Sequence, residues 1–224
     1  MKDHKILHFV SQILEIMPND WLQLTTHRLD IYNEEKAKVE FLDELDRYFA
    51  SGHLDTESLN NMPTSYDYIR LGHPLSCLLE WSIAKMNKME AERVIAFSSQ
   101  TMPILAVLRK NLLEKKKTRI VYKNELPHFF DSNVIKDIYG YSFELHQLES
   151  LDEIEDFNGC TICVSQQLDL TALQPLNKVD FYVYFAKGLG SVIIANSEGS
   201  TQYISEIQHV RRRETIAMTP ADTH

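Results

Sequence analysis

The chain has 224 residues, of which 44% are hydrophobic and 25% charged, the balance of an ordinary soluble globular protein with one good-sized domain or a domain and a small appendage. A net charge of −9 excludes the strongly basic footprint of a nucleic-acid binder, and no apolar run approaches the ~20 residues of a membrane-spanning helix. The start, with apolar positions interrupted by Ser11, Gln12 and Glu15, is not expected to be a secretory leader.

The first ~60 residues read as helical. Ile6, Leu7, Val10, Ile13, Leu14 and Met17 recur at three-to-four spacing until Pro18. A second helix is expected from about Lys36 to Ala50, with Val39, Phe41, Leu42, Leu45, Tyr48 and Phe49 on its apolar face and Ser51-Gly52 as its stop. Leu54 to Tyr68 reads as a polar connection and the boundary between an amphipathic segment, 1–60, and a domain, 61–224.

From residue 70 onward helix and strand alternate. Leu75–Lys88 reads as a helix, with Leu78, Leu79, Ile83 and Met86 facing a core. Arg93–Phe97 reads as a strand, and Pro103 suits the first turn of a helix that ends in Glu114-Lys-Lys-Lys117. Arg119–Tyr122 is a second strand, and Asp131-Ser132 opens a short helix that Gly140 closes. Ser142–His146 and Gly159–Ser165 read as further strands, and Val179–Phe185 and Ser191–Ala195 as an antiparallel pair around Lys187. The pattern is that of an α/β fold, a mainly parallel sheet with helices on both faces.

Three cysteines, Cys77, Cys160 and Cys163, are an odd number suited to a reducing, cytoplasmic setting. Cys160 and Cys163 match Cys-x-x-Cys, but on a strand they point to opposite faces and can neither share a metal nor close a normal disulfide. Both read as core residues, and no metal site is expected. The run Arg211–Arg213, followed by Glu214, reads as a solvated or partner-facing surface. The motifs of serine hydrolases, P-loop proteins and zinc proteases are missing.

Several motifs come in a telling order. Tyr68-Ile-Arg70 is followed by Gly72-His-Pro74, by Leu79-Glu80, by Phe97-Ser-Ser-Gln-Thr-Met102, and finally by Asp180-Phe-Tyr-Val-Tyr-Phe-Ala-Lys187. This stretch, about 66–221, resembles the large domain of the cystathionine γ-synthase family of pyridoxal-phosphate (PLP) enzymes, a fold-type-I domain. The resemblance implies that Lys187 is the Schiff-base lysine and that Tyr68 and Arg70 reach a neighbouring subunit's cofactor phosphate. It also implies that the Ser98–Met102 turn, with Ser99, cradles phosphate, and that Ser165 stands at the ring nitrogen. The departures fall on the chemistry: Gln100 replaces a glycine of the cradle, Ser165 an aspartate, and Ala186 a threonine. No tyrosine lies near Leu126-Pro-His128, where the ring-stacking one would fall, and His128 is the candidate stacker there. Set against the family, a helix–strand unit is expected to be missing between Ser150 and Gly159, and the family's C-terminal substrate domain is not expected after Pro220.

The expectation drawn from these departures is a pseudoenzyme. It would be a non-catalytic, cytoplasmic scaffold or adaptor subunit of a larger bacterial assembly, such as a secretion machine, without a cofactor, docking on other protein subunits through its N-terminal helices. The alternative is a small PLP-dependent lyase or transferase acting on sulfur amino acids, with Tyr68, Arg70, Ser99, Ser165 and Lys187 as its cofactor residues, and a third reading is a PLP carrier or sensor that binds the cofactor without turnover.

Overall fold

The computed structural model describes residues 2–22, 34–63, 65, 72–167, 169–174, 176–197, 200, 203–204 and 206–207, with 2, 3 and 34–37 described by backbone alone. Three helices form first. In α1 (Lys2–Ile16), Ile6, Phe9 and Ile13 are buried along one stripe. Past Pro18, a 3-10 turn at Asn19–Leu22 folds Trp21 back against Phe41, with ring centroids 5.8 Å apart. α2 (Glu34–Ser51) buries Phe41, Leu42 and Leu45. The connection expected to be merely polar contains α3 (Thr56–Asn60), whose first turn is capped by Asp55 Oδ1 accepting from Ser58 N–H at 2.7 Å and whose Leu59 is buried.

α4 (Pro74–Met86) lies between these helices and the sheet. His73 caps it, Nδ1 accepting from Ser76 N–H, while Ser76 Oγ accepts from His73 N–H at 2.9 Å. The sequence pattern assigns α4 one apolar face, yet nearly its whole circumference is buried; Leu79 and Met86 are only half-buried, whereas Leu75, Trp81 and Ala84 are buried. Helices enclose one side and the sheet the other, so amphipathic periodicity does not apply. The Trp81 ring meets Phe9 at 5.6 Å and Phe49 at 5.4 Å, and its Nε1–H donates to Asp46 Oδ1 at 2.8 Å.

Six strands follow: β1 (Val94–Phe97), β2 (Thr118–Lys123), β3 (Glu144–Leu148), β4 (Cys160–Ser165), β5 (Phe181–Ala186) and β6 (Gly190–Ala195). They form one sheet in the order β1-β6-β5-β4-β2-β3. β6 runs antiparallel to both β1 and β5, and the other pairings are parallel, so the carboxyl ends of β1, β2, β4 and β5 share one edge. The remaining helices are α5 (Met102–Leu113), with Pro103 in its first turn, and α6 (Ser132–Asp137), capped by Asp131.

The sheet separates two cores. Val94, Ala96, Val121, Cys163, Tyr182, Val192 and Ile194 pack toward α1, α2 and α4. Ile95, Phe97, Ile120, Cys160, Ile162, Val183, Phe185 and Ile193 pack toward α5 and α6. This is the mainly parallel α/β architecture with helices on both faces, and α1 and α2 share its first core. Cys160 and Cys163 fall in opposite cores, and burial pushes each thiol up to about 12. No described helix is long and apolar enough to cross a membrane.

At the junction of the helical layer and the sheet lies Glu80, fully buried on α4. Its Oε2 accepts from Lys38 Nζ of α2 at 2.8 Å, and its Oε1 accepts from Ala96 N–H of β1 at 2.9 Å.

Two predictions follow from these buried groups. Lys38→Met leaves the Glu80 carboxylate buried without its ammonium and should cost about 3 kcal/mol in urea unfolding; a loss within error of zero contradicts the buried pair. The folded thiols of Cys160 and Cys163 ionise near 12 against a reference of 9.0, so the stability they contribute is complete below pH 9 and is lost between pH 9 and 12. At pH 8, alkylating reagent should leave both cysteines unmodified in folded protein and label both in urea, read by peptide mass mapping.

Candidate functional site

The shared carboxyl edge gathers the loops that follow β1 and β5. After Phe97 the chain turns through Ser98–Thr101 into α5. After Ala186 it turns through Lys187-Gly188-Leu189 into β6. Because β6 lies beside β1, these two turns are neighbours. Ser191 Oγ, fully buried, donates to Ser99 C=O at 2.6 Å, and Gln100 Nε2 donates to Ala186 C=O at 3.1 Å. Gly190 has φ +140, and a Cβ there would stand 2.1 Å from Phe97 C=O, so only glycine allows the approach.

Between the turns lies an open cleft of about 370 Å³, lined by Ser98, Gln100, Thr101, Phe129, Gly188, Leu189 and Gly190. One wall is the loop into α5, which brings the Ser98 and Thr101 side chains to the cleft; at the start of the helix Pro103 has no N–H, and those of Ile104 and Leu105 go to Thr101 C=O. Ser99 Oγ accepts from Met102 N–H at 3.2 Å within that turn. The opposing aromatic is Phe129, set edge-on against Phe185 with centroids 5.2 Å apart. The sequence directs attention to His128 instead. His128 is exposed and packs against Phe129 at 5.8 Å, so the residue beside it holds the wall. The signal was the Phe129-Phe130 pair, one ring at the cleft and one in the core.

Lys187 is exposed in the β5–β6 turn, one residue beyond the carbonyl bound by Gln100 and one before the cleft-lining Gly188. Ser165 ends β4, in register with Tyr184, with Oγ accepting from Gln167 N–H at 3.0 Å. Two strands, β5 and β6, separate it from β1, and it does not line the cleft. The structure thus joins the Ser99 turn to the Lys187 turn and leaves Ser165 apart. Tyr68 and Arg70 lie outside the described residues, as do Arg211–Arg213.

This sheet order, with its antiparallel strand beside the edge strand and its lysine turn, can be set against known proteins. The fold is that of the PLP-dependent enzymes of the cystathionine γ-synthase family. The chain is similar to MetB from Corynebacterium glutamicum, with 15% sequence identity and a TM-score of 0.53 over 86% of this chain and 62% of that one. It is also similar to cystathionine γ-lyase from Lactobacillus plantarum complexed with L-serine (14% identity, TM-score 0.49, 71% of this chain and 52% of that one). A putative O-acetylhomoserine (thiol)-lyase from Campylobacter jejuni, which carries a pyridoxyl-lysine phosphate, gives 14% identity and a TM-score of 0.49 over 99% of this chain and 68% of that one. The chain spans less than two thirds of the length of the first two. No protein-family model and no curated protein matches it.

The expectation of a chain without a cofactor is corrected by this fold, whose enzymes depend on PLP. That expectation treated changed side chains as a lost site, but much of a phosphate cradle is main chain, which substitution leaves in place. The cleft offers the phosphate and ring of such a cofactor two hydroxyl side chains and an aromatic wall, with Lys187 in the adjoining turn. Its described lining holds no acid for the ring nitrogen.

Gly190→Ala should destabilise the protein by about 3 kcal/mol or more, through left-handed strain and the collision with Phe97 C=O. Gly188→Ala, where a Cβ has open space at φ +77, should cost only about 1 kcal/mol. Equal melting temperatures for the two variants contradict the close approach.

Proposed function

We propose that this chain is a PLP-binding domain that holds the cofactor at Lys187 and works as a binding subunit of a larger protein assembly rather than as an efficient enzyme. The observation that carries the reading is the convergence of the α5 N-terminus, Phe129 and the lysine-bearing turn on one cleft at the carboxyl edge, the position where open α/β sheets take their ligands. When bound, PLP supplies an electron sink for bonds at the α-carbon of an amino acid, provided that its ring nitrogen stays protonated.

This chain's residues divide along that line. Ser98 and Thr101, which line the cleft, would hold the phosphate through their hydroxyls. Phe129 would cover the ring, and Lys187 Nζ would bond the aldehyde carbon. No acid lines the cleft to hold a proton on the ring nitrogen, which favours binding over turnover. The apolar stripes of α1 and α2 are occupied by α4 and the sheet, so a protein partner would use their outer faces, where Leu7 and Val39 are exposed. A cytoplasmic setting suits the three reduced cysteines.

A second reading, a small lyase or transferase acting on sulfur amino acids, is supported by the fold shared with the cystathionine γ-synthase family. One experiment separates the two. Purified protein is mixed with PLP, its visible absorption recorded, and the product reduced with borohydride and peptide-mapped. Sulfur amino acids are then added and 2-oxo acid release is followed. The expected result is a pyridoxyl adduct on Lys187, lost entirely in Lys187→Ala, with 2-oxo acid released no faster than by free PLP. Release well above that level moves the conclusion to the lyase, and no adduct on Lys187 removes both readings.

A further inference from the structure

Gln100 holds the two sides of the cleft together, and we propose that its side chain is a strap across the cofactor site that must let go before the cofactor reaches Lys187. The inference rests on the PLP-binding reading and concerns how that site is gated. The loop after β1 and the turn after β5 are tied at two points. The first, Ser191 Oγ to Ser99 C=O at 2.6 Å, is fully buried and belongs to the β1–β6 contact. The second, Gln100 Nε2 to Ala186 C=O at 3.1 Å, is made by a half-buried side chain that itself lines the cleft.

Ala186 is the residue immediately before Lys187. The Gln100 side chain spans the cleft from the loop to the strand end that leads into Lys187, where a ring held by the loop and bonded to Lys187 would have to lie. The buried tie cannot yield without opening the sheet. The Gln100 tie is one neutral hydrogen bond on a flexible side chain and yields cheaply. The bond therefore stabilises the cofactor-free form and opposes entry, so its removal must act with opposite signs on the two states. A residue with a purely structural role would move only the stability of the free protein.

The test uses the full chain free of cofactor, as wild type, Gln100→Ala and Gln100→Ser, with PLP as the probe. Melting temperature is recorded without PLP, and uptake is followed by stopped-flow visible absorption and by equilibrium titration. Both short variants should melt about 2–4 °C lower than wild type and bind PLP about fivefold more tightly, the worth of one neutral hydrogen bond. PLP bound by all three proteins with the same affinity and rate overturns the strap while leaving the PLP-binding reading intact. PLP bound by none of them overturns both. Uptake by the variants alone supports the strap in its strongest form.

Discussion

The carboxylate of Glu80 is the contact on which the two halves of the molecule depend. It has no exposure to solvent and joins three elements: it sits on α4, takes a proton donor from Lys38 of α2, and takes the Ala96 N–H of β1. β1 is the end strand on that side of the sheet, so the carboxylate also satisfies a backbone donor on an edge that would otherwise face outward. A buried ion pair is a poor source of net stability, because desolvation offsets much of the Coulombic gain. Its value lies in geometry. An apolar substitute could fill the space but would not fix the height of α4 along β1, and the loop into the cleft begins directly after that strand.

The carboxyl edge shows a division between backbone and side chain. The main chain sets the shape of the cleft: the Ser98–Thr101 turn and the glycines flanking Leu189 bring two loops together. The side chains on that edge carry the chemistry, and under the PLP-binding reading none in the lining is an acid. Fold and function part at this point, since the fold is kept by packing in two cores while chemistry depends on a handful of groups at one edge.

Much of this was legible in the sequence. The strands at Val94–Phe97 and Cys160–Ser165 are short β-branched or apolar runs, and the opposite-facing cysteines followed from the two-residue period alone. Pro103 and Asp131 marked helix starts for known steric and capping reasons. The β5–β6 pair was set by the brevity of its turn. What could not be read were contacts between residues distant in sequence. Gln100 to Ala186 and Ser191 to Ser99 each span more than eighty positions, and nothing local announces them. Phe129 looked like one aromatic among several until the sheet placed it beside the lysine turn. Glu80 stands between Leu79 and Trp81 on a mostly apolar helix, but its partners became visible only in three dimensions.

The place of β6 also governs how the protein comes into being. Among the described residues β1 pairs with β6 alone, Val94 lying opposite Ile194, a hundred positions further along the chain. During synthesis the helical layer emerges first, then β1, then the strands on the far side, while β1 waits with neither edge bonded to another strand. Its sequence, Val-Ile-Ala-Phe, is buried on both faces in the finished protein and is correspondingly prone to associate with other chains while exposed. The sheet closes only when the last strand slides between β5 and β1, a contact of very long range and therefore a slow one. The cleft is made in that same event. A chain without β6 would lack Gly190 and the wall it gives the cleft, so a complete cleft reports on completed folding.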